Sequence, residues 1–249
     1  MLRPDPKRLN ALNAFYQQAT APELVAQAVS GLHGGRVALV SSFGAEAVVL
    51  LHMVAQADRA TPILFADTQM LFAETIQYQQ EVAERLGLCD IRRITPTSQD
   101  VQAEDPDSDL HTRDTDACCS LRKVRPLEEA LQSFDVILSG RKRHQSQSRA
   151  ALAVFEQDGH GRLKINPLAD WTRHQIASYL DAHDLPRHPL VAQGYPSIGC
   201  APCTSKVAAG EDQRAGRWRG QDKDECGIHF VDGKIVRGPV PAAEKESAA

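Results

Sequence analysis

Four cysteines stand in two close pairs, Cys118-Cys119 and Cys200-Ala-Pro-Cys203, and a fifth, Cys226, stands alone in Glu225-Cys226-Gly227-Ile228-His229. Adjacent cysteines are poor disulfide partners, because their Cα atoms lie about 3.8 Å apart, short of the roughly 4.4–6.8 Å that a disulfide usually spans. Two distant pairs brought together by folding would offer four soft thiolate ligands to one metal centre, and four thiolates suit either zinc or an iron–sulfur cluster. Cys226 is left over as the candidate nucleophile, since surrounding cations would lower its pKa and raise its thiolate population. Cys89 reads as a buried structural thiol.

Cations accompany the thiols. Arg122 and Lys123 lie about one helical turn after the first pair, and Arg214, Arg217 and Arg219 lie between the second pair and Cys226. Two explanations fit: an oxyanion substrate held by guanidinium groups, or compensation for a negative thiolate–metal site. Arg219 reads as ordinary surface charge. Further candidates come from expected strand ends, where open α/β sheets bind their ligands. These are the small-residue turn Ser41-Ser42-Phe43-Gly44-Ala45-Glu46, the pair Asp67-Thr68, and the basic run Arg141-Lys142-Arg143 after Gly140. The first turn can present backbone amides to an anion, but it lacks the Gly-Lys-Ser/Thr of a Walker loop.

The elements that must position these residues follow from hydrophobic spacing. Residues 9–32 read as helical with a break at Ala21-Pro22. Strands are expected at 37–40, 62–66, 91–95 and 135–139, and helices at 45–57, 71–86 and 172–183, the last capped by Asp170 or Thr172. Residues 96–112 are polar and acidic and read as a loop, after which the paired cysteines open a helix running to about residue 132. Residues 151–155 and 163–165 flank Asp158-Gly159-His160-Gly161 as a hairpin. Strands alternating with helices imply a parallel sheet covered on both faces. The expected organisation is an α/β domain over residues 1–206, then an irregular, mobile C-terminal tail over 207–249 that carries Cys226 and has a small hairpin near 231–236.

Composition narrows the class. A chain of 249 residues that is 42% hydrophobic can bury a sizeable core, and a net charge of −4 gives no whole-protein attraction to nucleic acid or membrane. No apolar run approaches the ~20 residues of a membrane span, and residues 1–15 do not form a secretory signal. The expected location is the cytoplasm, where cysteines more often bind metal or react than form disulfides.

From about Arg36 to Phe230 the chain resembles the assimilatory adenylyl-sulfate (APS) reductases, of the family shared with 3′-phosphoadenylyl-sulfate (PAPS) reductases. The motifs carrying the resemblance are Cys118-Cys119-Ser-Leu-Arg122-Lys123 with Pro126-Leu127, then Cys200-Ala-Pro-Cys203, Gly210-Glu-Asp-x-Arg214-x-Gly-Arg217-Trp218, and Glu225-Cys226-Gly-Ile-His229. The resemblance implies a doubly wound, mostly parallel sheet like that of the adenine-nucleotide α-hydrolases. It implies one 4Fe–4S cluster on Cys118, Cys119, Cys200 and Cys203, with Lys123 near both cluster and substrate. Ser41, Ser42 and Glu46 are then the nucleotide turn, Asp67-Thr68 the start of an Asp-Thr-Gly element, and Arg141, Arg214, Arg217 and His229 lie around the phosphosulfate.

The implied reaction is reduction of adenylyl sulfate to sulfite and AMP through an S-sulfocysteine on Cys226, with thioredoxin as reductant, in assimilatory sulfate reduction. Implied partners are adenylyl sulfate and thioredoxin, with no nucleic acid and no membrane; self-association as a homo-oligomer is left open. The presence of both cysteine pairs favours APS over PAPS. Two features depart from the family pattern: Gln69 stands where a glycine is expected, and Ser-Gly-Arg-Lys-Arg replaces the commoner Thr-Gly-(apolar)-Arg-Arg, so which basic residue faces ligand stays open. The alternatives are the same reaction on PAPS, a zinc-stapled binding module, or a tRNA-thiolating or adenylating enzyme on the same fold. The first turn lacks the Ser-Gly-Gly-x-Asp-Ser that the last normally shows.

Overall fold

The computed structural model describes residues 5–221, 223 and 225, and the backbone of two short strands at 230–231 and 234–235. The chain opens with two short helices, α1 (Pro6–Phe15) and α2 (Ala21–Val29). Pro22 sits in the first turn of α2, where its missing N–H costs nothing. Thr20 and Glu23 close a reciprocal capping box: the Glu23 carboxylate accepts from the Thr20 amide at 2.7 Å.

The sheet then forms. Strands β1 (Val37–Ser41), β2 (Ile63–Ala66), β3 (Ile91–Ile94) and β4 (Val136–Ser139) are linked through α3 (Ala47–Ala57), α4 (Ala73–Leu86), and the short helices α5 (Ser98–Glu104), α6 (Leu110–Arg113), α7 (Thr115–Cys119) and α8 (Arg125–Leu131). Strands β5 (Phe155–Gln157) and β6 (Leu163–Ile165) follow, then α9 (Arg173–Ala182) and α10 (Pro189–Ala192). The strand order is β3-β2-β1-β4-β6-β5, parallel except for β5, which runs antiparallel to β6. This is the doubly wound, mostly parallel sheet expected from the sequence.

Alternation along the strands divides the core. Leu39, Ile63, Phe65, Val136 and Leu138 face α2, α3 and α4 on one side. Ala38, Leu64 and Ile137 face Leu127 and Leu131 of α8 on the other. Burial on both faces explains the near-continuous apolar strands. The chain builds β1, β2 and β3 outward in one direction and then crosses back to place β4 on the other side of β1. That reversal makes the carboxyl ends of β1 and β4 the topological switch point, where such sheets bind ligands.

Several expectations are corrected. Residues 96–112 are not a loop throughout: they contain α5 and α6, and Asp105 between them is fully buried. Its burial is made tolerable by Arg122, a partner the local sequence does not reveal. The helix of the paired cysteines does run on to Leu131, but it starts at Thr115 and changes pitch on the way: α7 passes at Cys119 into a π-helical turn, Ser120–Val124, which continues as α8. Cys89 is exposed, not buried. It lies in the connection leading into the edge strand β3, its Sγ–H reaching only the Gly87 carbonyl at 3.3 Å.

Residues 207–221 are strapped to the α/β body: the Val207 amide donates to Gly194 O at 2.9 Å, and the Trp218 amide to Cys203 O at 3.1 Å. Phe230–Val231 pairs antiparallel with Lys234–Ile235, where the sequence placed a small hairpin. Among the described residues, no helix is long and apolar enough to cross a membrane.

Candidate active site

A cavity of about 260 Å³ opens at the switch point. Its floor is the turn between β1 and α3. Phe43 adopts a left-handed backbone (φ +48°) although it is bulky and fully buried. The strain is held by edge-to-face packing on Phe65 at 5.1 Å and by the Phe43 amide donating to Ser41 Oγ at 3.1 Å. With Phe43 turned into the core, Ser41, Ser42, Gly44, Ala45 and Glu46 are left to line the cavity. No side chain caps the N-terminus of α3, so this end of the turn suits an anion or a nucleotide.

The end of β4 resolves the basic run. Arg141 and Lys142 both line the cavity. Arg141 pairs with Glu156 and donates to Asn166 Oδ1 at 3.3 Å. Lys142 is 2% exposed, pairs with Glu46 at 2.9 Å and donates to Gly140 O at 3.0 Å. Burial pulls both of their pKa values down, against the carboxylates that support the charge. Arg143 points elsewhere, to Asp170 and the Leu152 carbonyl. Asp67 also turns away from the cavity: it is 1% exposed, pairs with Arg93, and accepts the Gln69 amide at 2.8 Å. Thr68 carries the wall there.

The four paired cysteines and Lys123 line the same cavity. Asp114 caps α7 by accepting from the Ala117 amide at 2.9 Å. The second pair is clamped on both sides: Leu71 bridges to Cys200, Ala201 donates to Met70 O at 2.7 Å, and Thr204 bridges to Arg217. Thr68 Oγ1 lies 3.1 Å from Cys200 Sγ, and Lys223 Nζ lies 3.4 Å from Cys119 Sγ while pairing with Asp116 at 2.7 Å. Burial pushes the Cys118 thiol up to about 11, the neighbouring Cys200 adding to it and Arg122 opposing. A cationic centre would be needed to hold Cys118 as a thiolate at neutral pH. Four thiols lining one cavity are a donor set that suits a soft, thiolate-bound centre. Among the described residues, no three His, Cys, Asp or Glu side chains converge on a point suited to a single metal ion.

Arg214 and Arg217 complete the rim beside Trp218, their guanidinium carbons 5.9 and 4.4 Å from its ring centre. Arg217 lies over Gly199, where any Cβ would collide with its guanidinium. Arg219 is exposed and paired with Glu211 at 2.8 Å, as its reading as surface charge expected. Cys226 and His229 lie outside the described residues. Sequence reasoning missed Lys223, Gln145, Arg149, Glu225 and the ring of Trp218. Only Trp218 and Glu225 fell within quoted motifs, and neither was given a role.

The fold and site together define an α/β protein with a switch-point cleft whose lining includes thiols and guanidinium groups. The chain belongs to the phosphoadenosine phosphosulfate reductase domain family, whose model matches residues 36–206. It is 49% identical over 232 residues to an adenosine 5′-phosphosulfate reductase from Chelativorans sp. (strain BNC1), covering 90% of this chain and 94% of that protein. It is 47% identical over 219 residues to the enzyme of the same name from Mesorhizobium japonicum, covering 88% and 86%. Among solved structures it resembles the phosphoadenylyl-sulfate reductase of Candida auris in its phosphate complex, with a TM-score of 0.68 at 25% identity, covering 82% of this chain and 98% of that one.

Proposed function

We propose that the protein is a sulfur-group oxidoreductase that reduces adenylyl sulfate to sulfite and AMP, using thioredoxin, as a cytoplasmic step of assimilatory sulfate reduction. The observation that carries this reading is the switch-point cavity, whose lining brings the four paired thiols together with Arg141, Arg149, Arg214 and Arg217. Substrate identity rests on the relatives named adenosine 5′-phosphosulfate reductase.

On this reading the α/β body binds the nucleotide and the segment from residue 207 onward brings Cys226 to it. Ser41, Ser42 and Glu46 receive the nucleotide, and Asp67, turned inward, shapes the neighbouring turn. Arg141, Arg214, Arg217 and His229 neutralise the phosphosulfate, which makes AMP a better leaving group. The Cys226 thiolate attacks the sulfur; the S–O bond to the phosphate breaks, AMP departs, and the sulfonate is left on Cys226 Sγ. One thioredoxin thiolate then attacks Cys226 Sγ and expels sulfite, forming a mixed disulfide. The second thioredoxin thiol resolves it and restores Cys226. The two electrons that reduce sulfate sulfur to sulfite come from the thioredoxin dithiol.

Cys118, Cys119, Cys200 and Cys203 would hold a 4Fe–4S cluster, which when bound supplies local charge and ties the two cysteine segments together. Lys123 lines the same cavity as these thiols and is assigned to both cluster and substrate. Comparing turnover on adenylyl sulfate and its 3′-phosphorylated form, with thioredoxin, tests the substrate. Preference for the 3′-phosphorylated nucleotide moves the reading to the PAPS alternative. Anaerobic purification tests the metal: a brown protein containing iron and sulfide supports the cluster, and a colourless zinc protein without turnover supports a zinc-stapled binding module instead.

A further inference from the structure

Glu225 is an acid placed among the cavity's basic groups. Its carboxylate is held by Arg149 through a two-point fork, Nε to Oε1 at 2.5 Å and Nη2 to Oε2 at 2.7 Å. Ser146 Oγ donates to Oε1 at 3.3 Å. Both partners are largely buried, with side-chain exposures of 12% for Arg149 and 18% for Glu225, and both line the cavity. Burial opposes ionisation of Glu225, but Arg149, helped by Arg214 and Arg141, outweighs it and holds the carboxyl below the usual carboxylate range.

The grip continues into the nucleotide turn. Arg149 Nη1 donates to Gln145 Oε1, Gln145 Nε2 donates to Glu46 Oε2 at 3.3 Å, and Glu46 pairs with Lys142 at 2.9 Å. A continuous polar chain thus runs from the β1–α3 turn to the residue that precedes Cys226 in sequence. A paired charge on the surface would contribute little; a forked, desolvated pair fixes geometry as well as charge.

We propose that Glu225 is the positioning residue for Cys226, its carboxylate clamped by Arg149 so that the chain one residue before the thiol is held at the cavity. This rests on Cys226 being the nucleophile. The peptide link places consecutive Cα atoms about 3.8 Å apart, so anchoring Glu225 confines the space that its neighbour searches. Confinement of a nucleophile near its target accelerates attack without adding to ground-state binding. Three of the five guanidinium N–H donors of Arg149 are committed to Glu225 and Gln145, an arrangement suited to a permanent anchor rather than a ligand contact.

The test compares Glu225→Gln, Glu225→Asp and Cys226→Ser in the full chain. With adenylyl sulfate and thioredoxin, Glu225→Gln lowers kcat about 10- to 100-fold while KM stays within about threefold, and Glu225→Asp, which keeps the charge, recovers a large part. Unchanged kcat overturns the proposal. So does a fall in KM at unchanged kcat, which would make Glu225 a competitor for the substrate's anion site. A second readout uses no turnover: the rate of Cys226 alkylation by iodoacetamide with AMP bound, followed on the Cys226 peptide. It rises several-fold in Glu225→Gln if the anchor holds that segment, and an unchanged rate overturns the anchor. Sulfite release by Cys226→Ser would instead sink the nucleophile reading, which the alkylation rate does not depend on.

Discussion

Asp105 and Arg122 form an ion pair sealed from solvent, with Nη2 to Oδ2 at 2.7 Å and side-chain exposures of 0% and 3%. Arg122 also reaches the Thr68 carbonyl at 3.4 Å, and Asp105 accepts the Leu110 amide at 2.8 Å. The pair therefore joins the acidic segment, the β2 end and the turn behind Cys118-Cys119. Burial works against the charge on Asp105, yet the Leu110 amide and Arg122 hold its pKa below the usual value. Removing one partner of such a pair leaves the other buried and uncompensated. Asp105→Asn is expected to cost about 3–5 kcal/mol in urea unfolding and to lower iron retention in the anaerobically purified protein.

Gln69 occupies the position where the family pattern has glycine, and it adopts φ +61° with an exposed side chain. The left-handed conformation costs a non-glycine residue roughly 1–2 kcal/mol, against about 0.5–1 kcal/mol of extra chain entropy for glycine. Gln69→Gly should then stabilise the protein by about 0.5–1 kcal/mol and raise the melting temperature by about 2 °C. Calorimetry checks this, and destabilisation would show that the side chain makes an energetic contribution.

Gly199 leaves room for the Arg217 guanidinium, whose carbon sits 4.4 Å from the Trp218 ring centre. A methyl group there meets the Arg217 guanidinium, the far end of a flexible side chain, and displaces it. Gly199→Ala is expected to raise KM for adenylyl sulfate about tenfold, with a change of less than about 1 kcal/mol in unfolding free energy.

His188 supplies a pH dependence of stability. Its Nδ1 accepts the Leu190 amide at 3.2 Å and its Nε2 lies 3.1 Å from Thr75 Oγ1, so the fold holds a neutral ring with the proton on Nε2. Burial depresses its pKa to about 4 from 6.5. Between these values the unfolded chain binds the proton and the folded one does not, so stability rises with pH across this window and is lost as pH falls toward 4. The effect is bounded at roughly 3 kcal/mol. His188→Gln should flatten the unfolding free energy between pH 4 and 6.5, as measured by urea titration at several pH values.

The sheet was legible because its central strands β1, β2 and β4 each carry a short apolar run followed by a turn, and parallel strands buried on both faces demand such runs. That Cys118-Cys119 and Cys200 with Cys203 would line one cavity was legible from residue type and number. The parts that were not legible depend on partners far apart in sequence. Asp105 looked solvated because Arg122 is separated from it by two helices. Arg149 and Glu225, 76 positions apart, carry no local pattern that marks them as a pair. The basic run gave no face until the end of β4 turned Arg141 and Lys142 inward and Arg143 toward Asp170. Cys89 was misjudged because thiols are usually buried, and nothing local shows that this one lies on a connection at the sheet edge.

The proposed function turns on transfer of the sulfonate to Cys226. Anaerobically purified protein, freed of added thiols, is mixed with equimolar adenylyl sulfate, and the intact mass and the Cys226 peptide are measured. A gain of one SO3 group on Cys226, released as sulfite when reduced thioredoxin is added, is the predicted result. A gain on another residue, or sulfite release with thioredoxin at the native rate from Cys226→Ser, would contradict the account.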